Sequence, residues 1–101
     1  MIHVLFIDDD PHAHNTLKMI LQDEYRLSSA YTGEQGIKRI IEFEPDIILL
    51  DISLPDIDGI TLLKQNNTKI PVIMLTAHNE LNLVVDAVKA GAVDFITKPF
   101  N

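Results

Sequence analysis

The sequence predicts an α/β fold: a doubly wound, five-stranded parallel sheet in the order 2-1-3-4-5. Three observations lead there. Short apolar runs alternate with stretches of helical period, giving βαβαβαβαβ, the pattern of a parallel sheet with right-handed crossovers. Two runs, residues 47–50 (IILL) and 70–75 (IPVIML), lack polar alternation, as strands buried on both faces do. A third, residues 25–31, carries Arg26, Ser28 and Ser29 and so belongs at an edge. With that strand outermost, strands one and three become central neighbours and the chain reverses direction between them. Ligands bind at such a switch point, beyond the carboxyl ends of the strands.

Each element has its own signal. Residues 3–7 (HVLFI) form strand one and end in Asp8, Asp9 and Asp10. Asp10-Pro11 is a helix start, with Asp at the N-cap and Pro in the first turn. Ala13, Leu17, Ile20 and Leu21 then share one face of helix one. Thr32 and Gln35 make a capping box for helix two, whose apolar face is Ile37, Ile40 and Ile41, and Glu44-Pro45 ends it. Residues 45–59 (PDIILLDISLPDIDG) hold strand three, Asp51 at its end, and a turn-rich loop. Asp56 and Asp58 read as turn and cap residues rather than ligands. Asp58-Gly59 starts a short helix three with Ile60 and Leu63, and Asn66-Asn67 suits a left-handed stop. Strand four ends in Thr76-Ala77. Helix four is expected to be capped by Asn79, to turn Leu81, Val84, Val85 and Val88 inward, and to stop at Gly91. Residues 93–96 form strand five, followed by Thr97-Lys98-Pro99.

Bulk properties exclude several function classes. At 101 residues the chain is one domain, residues 1–101, and 47% hydrophobic content argues against disorder. A net charge of −7 makes this segment a poor partner for nucleic acid. No cysteine is present, which excludes disulfides and thiol chemistry and fits a cytoplasmic location. No apolar run approaches the ~20 residues of a membrane helix.

The topology gathers Asp8, Asp9 and Asp51, with Thr76 and Lys98 arriving from the next two strand ends. Three facing carboxylates form a hard oxygen site suited to Mg²⁺, which would also relieve their repulsion. A carboxylate can act as nucleophile and form an aspartyl-phosphate. Such a transfer needs charge offset across the phosphoryl oxygens, here from a metal, the Lys98 ammonium and the Thr76 hydroxyl. Small Ala77 leaves room for the phosphoryl group. Leu83, Ala87 and Ala90 form a second apolar stripe on helix four, expected to be a partner surface. No histidine is assigned to metal or catalysis: His12 and His14 point different ways, and His3 has no evident partner.

The motifs FIDDDP, LLDISLPDIDG, VIMLTAH and DFITKPF resemble those of bacterial response-regulator receiver domains, the phosphorylatable halves of two-component systems. The resemblance runs from residue 2 to the last residue. It implies a flavodoxin-like fold in which Asp51 accepts a phosphoryl group from a sensor histidine kinase and the signal passes to an output domain or partner protein. It also implies that Asp8, Asp9, Asp51 and the backbone carbonyl of Ser53 serve Mg²⁺ or Mn²⁺. Thr76 would be the switch hydroxyl, Lys98 the phosphate-contacting lysine, Phe95 the aromatic switch, and Lys98-Pro99 a cis peptide. Ser53 and His78 fall at positions that tune phosphate lifetime in that family. Such a domain catalyses only its own phosphorylation and dephosphorylation. The second half looks most like receivers of DNA-binding transcription regulators.

The chain stops at Asn101, where receivers normally continue into a fifth helix. The expectation is four of the usual five helices, a fragment without any output domain. Helix one would be alone on its face, with possible homodimers formed through the bare part. Competing classes fit less well. A haloacid-dehalogenase-type phosphatase, with an aspartyl-phosphate intermediate, uses Asp-x-Asp, but here Ser53 stands two residues after Asp51. A flavodoxin-like cofactor binder needs a Ser/Thr/Gly-rich loop after strand one, and this loop is acidic. A pseudo-receiver docking module would lack the acids.

Overall fold

The computed structural model describes residues 1–65 and 69–99, and of His78 the backbone only. Within these residues the strands are β1 (His3–Ile7), β2 (Arg26–Ala30), β3 (Ile47–Asp51), β4 (Val72–Thr76) and β5 (Asp94–Thr97). The helices are α1 (Pro11–Leu21), α2 (Gly33–Phe43), α3 (Gly59–Gln65) and α4 (Val84–Lys89), with a 3₁₀ segment, His78–Leu83, leading into α4. All pairings are parallel and the order is β2-β1-β3-β4-β5. The expected topology holds, with polar β2 at an edge. Strands four and five begin one or two residues later than expected, because Ile70 and Pro71 lie before the ladder and Val93 only donates into it, to the Val72 carbonyl at 2.9 Å. The Asn66-Asn67 stop lies outside the described residues.

Alternation along each strand sorts the core into two layers. Leu5, Ile7, Ile48, Leu50 and Met74 face α2, α3 and α4, which contribute Ile40, Leu62, Leu63 and Ala87. Val4, Phe6, Leu49 and Leu75 face α1, which contributes Ala13 and Leu17. Helices two to four thus share one face and α1 has the other, as right-handed crossovers require. In α2 the inward face includes Gly33 and Gly36 as well as Ile40, and Ile41 is exposed. A Cβ at Gly36 would lie 2.6 Å from Ile7 Cδ1, so the missing side chain lets the strand residue fill that layer. Ile20 of α1 is exposed as well, contrary to expectation.

Helix four packs by the opposite stripe from the one expected. Ala87 is 1% exposed and lies in the core, with Leu83 and Ala90 packed against it. The stripe Leu83, Ala87, Ala90 is therefore an inward face, not a partner surface. Leu81, Val85 and Val88, expected inside, are exposed, Val85 at 60%. Two causes act together. The 3₁₀ segment before α4 has about three residues per turn rather than 3.6, which rotates the helix that follows. Small Ala87 and Ala90 also let α4 approach the sheet where bulkier valines would hold it off. The cap differs too: the turn begins at Ala77, whose N–H donates to Glu80 Oε1 at 3.0 Å, and Asn79 is not the cap. Gly91 does end α4, at φ 114°.

Caps at the carboxyl edge of the sheet fix the loops. Asp10 Oδ1 accepts from the His12 N–H at 3.0 Å, and Asp58 accepts from the Thr61 N–H at 2.9 Å. Asp56 reaches across from the β3–α3 loop: its oxygens accept from the N–H groups of Gly33 (2.8 Å) and Glu34 (3.0 Å) at the start of α2. These bonds hold the Asp56 carboxyl below its usual range. The Asp56→Ala variant should lose about 1 kcal/mol, the ordinary cost of a lost cap, seen as a lower urea midpoint. An unchanged midpoint would show that the contact is not a cap.

Candidate functional site

Four strand ends build the site. Asp8 follows β1, and its N–H donates to the Ala30 carbonyl at 3.0 Å, extending the ladder with β2. Asp51 is the last residue of β3 and is 3% exposed. Thr76 ends β4, fully buried. Lys98 follows β5, its N–H bonded to the Thr76 carbonyl at 2.8 Å.

Carboxylate oxygens of Asp8, Asp9 and Asp51 all lie within 4.8 Å of one another; Asp8 and Asp51 are buried and Asp9 is exposed. The Lys98 ammonium donates to Asp8 Oδ2 at 2.9 Å and lies 3.5 Å from Asp51 Oδ2. Burial, then the Asp8 charge, pushes the Asp51 carboxyl up to about 7, against the opposing pull of Lys98. Burial alone would lower Lys98, but its hydrogen bond to Asp8 and the two carboxylate charges raise it. Three acids facing one ammonium leave excess negative charge in a poorly solvated place. Hard oxygen donors in that arrangement fit a divalent cation such as Mg²⁺.

The loop after β3 folds back under the site. Ser53 and Asp58 form an isolated bridge, and the Gly59 N–H donates to the Ile52 carbonyl at 2.8 Å. A Cβ on Gly59 would sit 2.4 Å from the Asp51 carbonyl oxygen and 2.9 Å from Ile52 Cα, both backbone atoms with little room to yield. The Gly59→Ala variant should therefore cost about 1–3 kcal/mol, the usual range for overpacking, and displace the Asp51 backbone. Urea unfolding measures the first. An alanine variant as stable as the parent would contradict this close approach.

The structure brings Asp8, Asp9, Asp51 and Lys98 together. The Thr76 hydroxyl donates to the Ala77 carbonyl at 3.1 Å. Phe95, beside Met74 in the sheet register, is 40% exposed, and the Lys98–Pro99 peptide is cis. The Ser53 N–H donates to Asp51 Oδ1 at 3.4 Å. Two residues were missed from sequence. Glu80 accepts from the Ser53 hydroxyl as well as from the Ala77 N–H, joining the loops after β3 and β4. A Glu three residues after a helix-start position was the available signal. The other is His14, buried against Asp8. His3 also has partners: its N–H donates to Asp46 at 2.8 Å and its Nε2 lies 2.6 Å from Ser28 Oγ.

A parallel sheet with acids at its central strand ends and a lysine beside them defines a class of phosphoryl-handling α/β modules, and comparison with known proteins places the chain within it. Residues 4–101 match the response regulator receiver domain family. The chain is 39% identical to the chemotaxis protein CheY of Listeria monocytogenes, over 99% of this chain and 88% of that protein. It is 41% identical to the response regulator GtcR of Aneurinibacillus migulanus, over 97% of this chain but 42% of that protein. Among solved structures, a two-component response regulator from Clostridium difficile superposes with a TM-score of 0.93 at 34% identity, covering 100% of this chain and 86% of the other. The chain belongs to the response regulator receiver domain family. Domains of this family act in two-component signalling, receiving the signal from histidine kinases and acting on output domains or partners, and they bind Mg²⁺ at an acidic pocket. The acidic trio here is a group able to hold such an ion. No helix among the described residues is long and apolar enough to cross a membrane.

Proposed function

We propose that Asp51 is the phosphoacceptor of this switch. The observation that carries the proposal is the meeting of Asp8, Asp9, Asp51 and Lys98 at adjoining strand ends. One Asp51 oxygen attacks the phosphorus of a phosphohistidine or small acyl phosphate. The new O–P bond forms as the bond to the donor breaks, and the leaving group departs with that electron pair. Asp8, Asp9, Asp51 and the Ser53 carbonyl would hold Mg²⁺ or Mn²⁺, which supplies positive charge to the phosphoryl oxygens and keeps Asp51 ionised. Lys98 offsets charge from the opposite side and, once phosphate is bound, turns from Asp8 toward it. The Thr76 hydroxyl, now spent on the Ala77 carbonyl, is free to rotate to the phosphoryl group beside small Ala77. Phe95 follows by moving inward. Phosphorylation so shifts a two-state population and is read by an output domain or a partner protein. The domain turns over no metabolite and works in the cytoplasm.

Incubation with acetyl phosphate and Mg²⁺, followed by intact mass, tests this. One phosphoryl group should add to the parent, and none to Asp51→Asn or after chelation of the metal. Equal labelling of Asp51→Asn would remove the assignment.

A further inference from the structure

His14 lies in the first turn of α1 and is 6% exposed. Phe6 and Tyr31 flank it, with ring centroids 4.4 and 4.3 Å away. Both nitrogens are engaged. Nδ1 is 2.9 Å from Ser29 Oγ and Nε2 is 2.7 Å from the backbone oxygen of Asp8. A carbonyl oxygen only accepts, so Nε2 carries the hydrogen and donates. Nδ1 and the Ser29 hydroxyl share the second bond. The imidazole thus ties edge strand β2 to the end of β1 at the first acid of the site.

Every polar atom of Asp8 is held. Its N–H donates to the Ala30 carbonyl at 3.0 Å, Oδ1 accepts from the Asp10 N–H at 3.0 Å, and Oδ2 accepts from Lys98 at 2.9 Å. The carbonyl accepts from His14, and that bond fixes the plane of the Asp8–Asp9 peptide. The plane sets the direction in which the chain leaves β1, and so where the exposed Asp9 carboxylate points. Mg²⁺ demands near-ideal octahedral placement of its ligands.

We infer that His14 is a positioning residue for the acidic trio: its Nε2–H bond to the Asp8 carbonyl holds the Asp8–Asp9 peptide so that both carboxylates face Asp51. This rests on the proposed reading of the trio as a divalent-cation site. Partners one bond removed from metal ligands typically change affinity 10–100-fold when lost. Two variants separate positioning from packing. The His14→Leu variant fills the space without a donor. The His14→Gln variant keeps an N–H donor near the position of Nε2 but loses the ring held at a tilt between Phe6 and Tyr31. Both should unfold at lower urea than the parent.

Mn²⁺ affinity, read by electron paramagnetic resonance without any phosphoryl donor and well below the unfolding transition, should distinguish them. His14→Leu should bind about tenfold more weakly than the parent, and His14→Gln within about threefold of it. Should His14→Leu fail to fold, His14→Gln and the ring tautomer in the unmodified protein decide. Nitrogen NMR should show the Nε2–H tautomer. Parent-like Mn²⁺ affinity in folded His14→Leu, a tenfold loss in His14→Gln, or an Nδ1–H ring would each overturn the inference while leaving the metal site standing. A parent that binds no Mn²⁺ would overturn the site reading, and this inference with it.

Discussion

Replacing Lys98 with methionine is expected to destabilise the metal-free protein by about 3 kcal/mol, the lower end of the cost of breaking a buried ion pair by removing one partner. The lower end applies because the Lys98 side chain is 22% exposed, whereas that of Asp8 is fully buried. Its ammonium lies 2.9 Å from Asp8 and 3.5 Å from Asp51, and no other salt-bridge partner of either acid is present among the described residues. Without it two buried carboxylates face each other across a poorly solvated gap, with Asp9 at the rim. A divalent cation at the trio should offset part of that repulsion. Added Mg²⁺ should therefore raise the urea midpoint of Lys98→Met more than that of the parent, because binding to the folded state alone stabilises it. Phosphorylation by acetyl phosphate should fall sharply even with Mg²⁺ saturating. A variant with parent-like midpoint and unchanged response to Mg²⁺ would show that Lys98 does not neutralise the site.

The second large effect belongs to Asp51. In the metal-free protein its carboxyl titrates at about 7, raised from an ordinary 3.8 by burial and by the Asp8 charge. Between those two values the folded state holds a proton that the unfolded chain has released. Stability from this group is thus fully present below the lower value, declines as pH rises, and is lost above the upper one. Asp51→Asn removes that decline. The difference in urea midpoint between the variant and the parent, both in chelator, should grow in the variant's favour from about pH 4 to about pH 7 and then level off. Taking the difference cancels groups that titrate alike in both, such as Asp56 and Asp58, whose carboxyls are held low by backbone hydrogen bonds. A difference that is flat with pH would mean that Asp51 is ionised throughout and the site is better solvated than its burial suggests.

Much of this site is legible in the sequence because a buried strand announces its own end. A run such as IILL tolerates no charge inside, so Asp51 marks where the chain surfaces, and the same logic locates Asp8, Thr76 and Lys98. The polar residues of β2 then gave the strand order. The packing of α4 was not legible. Leu81, Val85 and Val88 have the same helical spacing as Leu83, Ala87 and Ala90, and period alone does not say which stripe faces in. The 3₁₀ entry and the small size of the alanines decided it. His14 was hidden for another reason. Its partners, Ser29 and Asp8, come from two different strands, and only the register of β1 against β2 brings them to one ring. Glu80 likewise joins two loops that are separate in sequence.

The residue that carries the phosphoryl group decides whether Asp51 is the acceptor. Borohydride reduction of the protein after treatment with acetyl phosphate and Mg²⁺ converts an acyl phosphate to the alcohol, and peptide mass mapping locates the residue changed. Conversion confined to residue 51, and abolished by chelator, is the expected result. Conversion at Asp8 or Asp9, or a phosphorylated protein with no reducible aspartate, would contradict it.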